Sequence, residues 1–506
     1  MKKQLANNAL FGLMEKGVSI ITVLLLTPYF ISILGDDNYG LWILILSVIS
    51  WFNFVDMGFS ATIQRKIAIA IENNNLNKIN AAFSCAIVLF VILGGIASTG
   101  VFFLGVYPEI IGVDESHSKV ASIAITVFTL KVFFDFIMSA FHGFYSGALR
   151  YDIDATLSTS NTIFKSICIF YLIPEYYIYG AVFATMLSDV IFNAIKIFYA
   201  KRICEGFKFE FKLVTKAELL EIFSYSKHVA ANIIARSINE NVDPLIIAKI
   251  MDLQKVGLYS VANRLVGHVQ SIITACLSFM LPAFSRLMVK KTDIRHEFNQ
   301  VVALNFFISS SLLIPLVCLG QWFLYLWLGE KFESMSVVLL ILAYSSFTRC
   351  ISFPVSSILL AGAKHKLLTF ANLLSAFLNL LLSIFLGGMY GLEGIAIATL
   401  ISSIIGGVIV HLILLKKQMG YSVMGYIKTY IISSVLLFAV GYFCSLAYQS
   451  GFHRSLSILE FIATAIIVCI TSVLVSAFLY LDKPLRIKIK DTAFSFIPKK
   501  QLKYKE

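Results

Sequence analysis

The stretch Lys227 to Pro244, KHVAANIIARSINENVDP, is too polar for a helix bathed in lipid, yet long apolar runs flank it on both sides. At about 100° per residue, Arg236, Glu240 and Asp243 fall on one narrow arc of a helix. His228, Asn232 and Asn239 widen that arc, while Val229, Ala230, Ile233, Ile234 and Ile238 lie mostly off it. The segment reads as one amphipathic helix, and whether it crosses a membrane sets the topology of everything after it. If it crosses, fourteen helices result, with both termini cytoplasmic. External loops then keep only Lys119, Lys249, Lys255, Lys331 and Arg454. If it does not, the basic loops after Phe284, Gly362 and Leu415 face outward, against the positive-inside bias. A crossing is therefore predicted. Its polar stripe must face protein or water, which implies a buried aqueous cavity.

The rest of the chain agrees with a polytopic all-α membrane protein. At 58% hydrophobic and 14% charged residues, a soluble domain is excluded. The net charge of +12 resides in cytoplasmic loops and the tail, so it points to topology and anionic lipid rather than nucleic acid. Eight cysteines stand singly, with no C-x-x-C pair or His/Cys cluster, so neither disulfides nor a metal site is expected. The first apolar run is long and carries Glu15 and Lys16, unlike a cleavable signal peptide. No phosphate loop, nucleophile elbow or metal spacing appears, which argues against an enzyme and against ATP as the driving force.

The predicted organisation has a first lobe of six helices over residues 1–200 and a linker over 201–220. A second lobe of six helices follows over 221–418, then two further helices over 419–482 and a basic cytoplasmic tail over 483–506. An internal repeat supports two lobes. YGAVFATMLS (Tyr179 to Ser188) matches EGIAIATLIS (Glu393 to Ser402), NYGLW (Asn38 to Trp42) matches KVGLY (Lys255 to Tyr259), SGALR (Ser146 to Arg150) matches AGAKH (Ala361 to His365), and Pro28 meets Pro244. An even number of helices separates the copies, so the repeats are parallel, around a central cavity.

Charges within spans are costly, about 2.5–3.5 kcal/mol each at mid-bilayer, so they need partners or water. Lys131 and Asp135 sit one turn apart and can pair with each other or serve substrate and coupling. Glu240 and Asp243 are candidates for a coupling proton or sodium ion, with packing as the competing role. Glu15 and Lys16 lie near the cytoplasmic end of the first crossing and can guard an inward opening. Asp56 and Asp189 read as structural neutralisers, Lys196 and Lys227 as snorkelling to the surface. His228 and His268 read as satisfied polar groups. Tyr259 and Tyr344 are candidate sugar-stacking rings.

The opening NNALFGLMEKGVSIITVLLLTPYFISILGDDNYGLW, the segment DMGFSATIQR (Asp56 to Arg65) and the repeat architecture resemble the Wzx-type polysaccharide flippases. These belong to the multidrug/oligosaccharidyl-lipid/polysaccharide exporter superfamily, with the MATE drug exporters and the lipid II flippase. The resemblance covers the whole chain. It implies transfer of an undecaprenyl-diphosphate-linked sugar repeat unit, typically an O-antigen unit, across the bacterial inner membrane. It further implies a cation-lined cavity, alternating access and ion coupling, with glycosyltransferases and a polymerase as pathway partners. Arg236, Arg264 and Arg349, with Lys131, fit the cationic cavity. Guanidinium forks match phosphate oxygens bidentately, although interhelical ion pairing, such as Arg236 with Glu240, is the alternative. The first crossing departs from the lipid II flippases, which favour arginines there; this chain has Glu15 and Lys16. A MATE-like ion-coupled exporter of small organic cations is the rival reading, and its cavity should be dominated by acids. A membrane glycosyltransferase or ligase is a third, disfavoured by short outer loops.

Overall fold

The computed structural model describes residues 2–56, 58–204, 206–289, 294–362, 364–449, 458–483 and 486. Those residues are almost entirely helical and contain no strand. In chain order the helices are α1 (Lys2–Trp51), α2 (Phe59–Glu72), α3 (Leu76–Val106), α4 (Glu115–Gly147), α5 (Tyr151–Ile203) and α6 (Lys216–Ile250). They continue with α7 (Leu253–Leu277), α8 (Met280–Val289), α9 (Arg295–Leu328), α10 (Ser336–Ile351), α11 (Phe353–Ala361) and α12 (His365–Ser402). The last are α13 (Val410–Met419), α14 (Met424–Gln449) and α15 (Ile458–Tyr480). Among the described residues, ten helical stretches are long and apolar enough to cross a membrane, so this is a multi-pass membrane protein; α6 is too polar to be among them. The basic tail predicted from 483 lies almost wholly outside the described residues, as do the side chains of Lys227 and His228.

Three of the long helices are pairs joined by a backbone break. The first break, at Gly35 (φ 78°), falls at the start of GDDNYGLW, where a tight turn is predicted. The others are at Tyr177 (φ 49°) in α5 and Gly391 (φ 64°) in α12. At Tyr177 the chain reverses, because Lys196 Nζ lies 3.2 Å from Ser158 Oγ although 38 residues separate them. The two later breaks are the same device. A Cβ added to Gly180 would lie 2.4 Å from the Leu172 carbonyl oxygen, and one added to Gly394 would lie 2.0 Å from that of Leu386. These glycines are equivalent in the repeat predicted from sequence, and each admits the backbone eight residues upstream.

The chain divides into two compact units, residues 1–261 with 372–398 and residues 262–371 with 399–506. In the first unit, α6 packs mainly on α1, and its two ends lie near the two ends of α3. The segment leading into α6 lies on the first turns of α3: Asn80 Nδ2 donates to the Gly206 carbonyl at 3.0 Å, and the Glu210 N–H to Ser84 Oγ at 2.9 Å. At the far end Lys249 Nζ donates to the Glu109 carbonyl at 3.5 Å, just past the end of α3. With 35 and 31 residues, the two helices are about 52 and 46 Å long. The start of α6 is pinned to α2 by Lys66, which bonds both Glu218 and Glu221. Burial alone would push the Lys66 pKa down, but the two carboxylates outweigh it and hold it above the ordinary lysine value. A raised lysine pKa contributes stability that is complete at neutral pH and lost only as pH rises through that raised value. The two copies of the repeated glycine motif also meet in this unit. A Cβ on Gly257 would be 3.5 Å from Gly40 Cα, a close helix contact of the kind small residues permit.

Prolines inside spans free a carbonyl four residues upstream, and membrane helices keep such prolines only where another donor takes that carbonyl. In the first unit Pro174 frees Phe170, whose carbonyl accepts from the Tyr29 hydroxyl at 2.5 Å. In the second unit Pro315 frees Ser311, taken by Ser472 Oγ at 3.0 Å. At the break between α10 and α11, Asn305 Nδ2 donates to the Cys350 and Ile351 carbonyls at 3.1 Å each. Asn305 is wholly buried. Replacing it by leucine removes two buried hydrogen bonds, leaving the Ser352 N–H on the Cys350 carbonyl and the Tyr426 hydroxyl on that of Ile351, and a loss of about 1–3 kcal/mol is expected, read as a lower melting temperature of the purified protein.

Candidate functional site

The polar chamber of the first unit forms where helical regularity lapses. After Trp51 the backbone tightens into one 3₁₀ turn, Phe52–Asp56, and α2 restarts beyond Gly58. Trp51, Phe52 and Phe54 pack on one another there, with the Trp51 and Phe54 rings 5.4 Å apart. The freed Trp51 carbonyl accepts from Ser237 Oγ of α6 at 3.1 Å. The resulting cavity has a volume of about 460 Å³, and its lining includes Phe54, Asp56, Asp135, Arg236, Glu240 and Asn241. Of the stripe singled out in the sequence, Arg236 and Glu240 lie on the wall of this cavity, as does Ile233, which was placed off the stripe.

The charges differ from expectation. Three carboxylates, Asp56, Asp135 and Glu240, share the wall with one guanidinium, Arg236. Within this unit the chamber is more acidic than the cation-lined cavity implied by the resemblance. Arg236 Nε and Glu240 Oε1 are 3.9 Å apart, and the two side chains are 72% and 62% exposed, so this pair is loose and Arg236 is open to a ligand. Lys131 is committed: it lies 2.8 Å from Asp135 and 2.6 Å from Asp189, and Asn161 Nδ2 holds the other Asp189 oxygen at 3.0 Å. Asp56 accepts from the Ser60 N–H at 3.3 Å and hydroxyl at 2.9 Å, and no ion pair reaches it among the described residues. Its position on the chamber wall was missed; the aromatic residues packed around it in WFNFVD were the available signal.

Asp243 is not on this wall. It is buried and accepts from the Tyr259 hydroxyl at 2.7 Å. Tyr259 is itself wholly buried, so its ring offers no face to a sugar and that expectation is corrected. Tyr259→Phe removes a hydrogen bond to a carboxylate and should destabilise by about 1.5–3 kcal/mol, checked by thermal unfolding in detergent. Tyr344, in the second unit, borders an apolar cavity with Phe438 and Tyr442, which suits alkyl chains better than sugar hydroxyls.

Glu15 is half-buried on α1 within electrostatic reach of Asp154, Lys196 and His142, whereas Lys16 is exposed. His142 Nδ1 is 2.6 Å from Asp154 Oδ2, and Lys196 Nζ is 3.0 Å from Asp154 Oδ1. Lys196 does not snorkel, contrary to the sequence reading; it is held by a buried acid. No spacing links His142, Asp154 and Lys196, which come from α4 and the two halves of α5. In the second unit, Arg264 and His268 are both half-buried, one turn apart on α7. Arg349 is also half-buried, and its enclosed Nε has no hydrogen-bond partner among the described residues. A buried guanidinium N–H without an acceptor is a donor prepared for an anion.

A family model described as "Polysaccharide biosynthesis protein" matches residues 5–288. The lipopolysaccharide biosynthesis protein WzxC of Escherichia coli is 25% identical over 200 residues, 39% of this chain and 41% of that one. The chain thus spans less than half the length of several curated relatives it matches. Among solved structures, the lipid II flippase MurJ in an inward closed conformation shares the fold at a TM-score of 0.65, with 15% identity, 93% of this chain and 99% of that one covered. An inward-facing multidrug resistance MATE transporter of the same exporter superfamily follows at 0.60 and 16%, covering 78% and 96%. Likeness at such identity shows the fold, which transporters of different cargo share.

Proposed function

Because this chain belongs to the polysaccharide biosynthesis protein family, we propose that it is a flippase for undecaprenyl-diphosphate-linked oligosaccharide repeat units, O-antigen units among them. The single observation that carries this reading is the polar chamber of about 460 Å³ among otherwise apolar helices, with Arg236 open to it. In this reading α6 crosses the bilayer alongside α3, and three broken helices each make two passes, which gives fourteen crossings. Both termini then lie on the cytoplasmic side of the inner membrane, as the basic loops favour. Arg236, Arg264 and Arg349 receive the diphosphate, and Lys131 braces the wall. The head group enters from the cytoplasmic leaflet and leaves on the periplasmic side by alternating access. Glu15, Lys16, Asp135, Glu240 and Asp243 are the coupling or gating groups for a proton or sodium ion. Glycosyltransferases supply the cargo and a polymerase consumes it.

Single Ala substitutions at Arg236, Arg264 and Arg349 should each lower surface polysaccharide several-fold while the protein remains in the membrane; full output from all three would remove the diphosphate role. The acidic chamber wall favours one second reading, an exporter of organic cations. A deletion strain separates them: loss of surface polysaccharide with unchanged drug sensitivity supports the flippase, and the reverse supports the exporter.

A further inference from the structure

The chamber wall is poorly suited to a diphosphate over most of its surface. Asp56 and Glu240 would repel phosphate oxygens, Asp135 is tied to Lys131, and Arg236 is the one lining base that attracts them. The same wall suits a polyhydroxylated, uncharged group. Carboxylates accept hydrogen bonds from sugar hydroxyls, and Asn241 both donates and accepts. Phe54, half-buried and packed against Trp51 at a tilt of 57°, presents an aromatic ring among these polar groups. An aromatic ring beside hydrogen-bonding side chains is what a sugar needs, since a pyranose has an apolar C–H face and a polar rim. Asp56 adds selectivity: among the described residues no ion pair reaches it, so a second negative charge placed against it meets repulsion that only Arg236, elsewhere on the wall, offsets.

Resting on the flippase reading, we propose that this chamber is a saccharide subsite, with Phe54 as the ring platform and Asp56 as the group that rejects acidic sugars. The sugars it takes are neutral or amino sugars, not uronic acids. Arg236 marks the side of the chamber nearest the diphosphate.

The test uses the full-length protein in lipid nanodiscs and equilibrium binding of three probes. These are undecaprenyl diphosphate, the same lipid carrying a neutral disaccharide, and the same lipid carrying a disaccharide that ends in a uronic acid. The neutral disaccharide should bind about tenfold tighter than the bare lipid, and the uronate about tenfold weaker than the neutral one. Phe54→Ala should bring the neutral probe down to the bare lipid without changing the latter. Phe54→Trp, which keeps a ring and controls for folding, should preserve the preference. Asp56→Asn should raise the uronate to the level of the neutral probe. If bare lipid binds but the sugars make no difference, or Phe54→Ala leaves the preference intact, the subsite is overturned and the flippase reading stands. If Asp56→Asn abolishes transport yet leaves the uronate penalty unchanged, Asp56 is an ion-coupling group and its selectivity role is overturned. If none of the probes binds, the flippase reading fails and this inference with it.

Discussion

Gly40→Val should leave almost no properly folded protein in the membrane. A Cβ added to Gly40 would lie 1.7 Å from the Leu253 carbonyl oxygen and 2.6 Å from its carbon. Both atoms are backbone, at the start of α7, so no side chain can swing aside to relieve the clash. Overpacking against mobile side chains typically costs about 1–3 kcal/mol. Here the two helices themselves must part, and the loss should exceed about 4 kcal/mol. The measurement is the monodisperse peak of a fluorescent fusion on size-exclusion chromatography, expected to collapse for Gly40→Val. Gly17→Ala serves as control, because no atom lies within 4 Å of its added Cβ; its peak should match the parent.

The second large effect is at Lys131. Its ammonium neutralises Asp135 and Asp189 together, and its side chain is only 19% exposed. Removing one member of such a group leaves uncompensated charge inside a span, which costs about 3–5 kcal/mol. Asp135 is 40% exposed and can turn to water, whereas Asp189 is 15% exposed and cannot. Lys131→Met should therefore lower the melting temperature sharply, and adding Asp189→Asn should restore more of it than adding Asp135→Asn. Equal rescue by both would show that the burden is shared evenly rather than carried by Asp189.

Helix positions, the break at Gly35 and the repeat that returns at Tyr177 and Gly391 were legible, because hydropathy, glycine and sequence self-similarity report local backbone behaviour. The amphipathic face of α6 was legible for the same reason: a period of 3.6 residues sets which side chains share a side. What faces that side is not written in the period. Asp189 joining Lys131 and Asp135, or Lys196 meeting His142 through Asp154, depends on how far one helix slides along another. The balance of charge in this one chamber was not legible on similar grounds. Counting deep bases along the chain pools Arg264 and Arg349 with Arg236, although the first two belong to a different compact unit. Tyr259 illustrates the remaining gap, since burial of a ring against Asp243 depends on tertiary packing alone.

The carbonyls released by Pro174 and Pro315 are held by a tyrosine and a serine from elsewhere in their own units. A rod stitched only by its own ladder resists bending along its whole length, whereas these two rods have one stitch each tied to a neighbour. Flexing there stretches a single side-chain tie and leaves the ladder on either side intact, so movement is expected to concentrate at these joints. Spin labels placed on either side of Pro315 would report that articulation directly, and Ser472→Ala would loosen it.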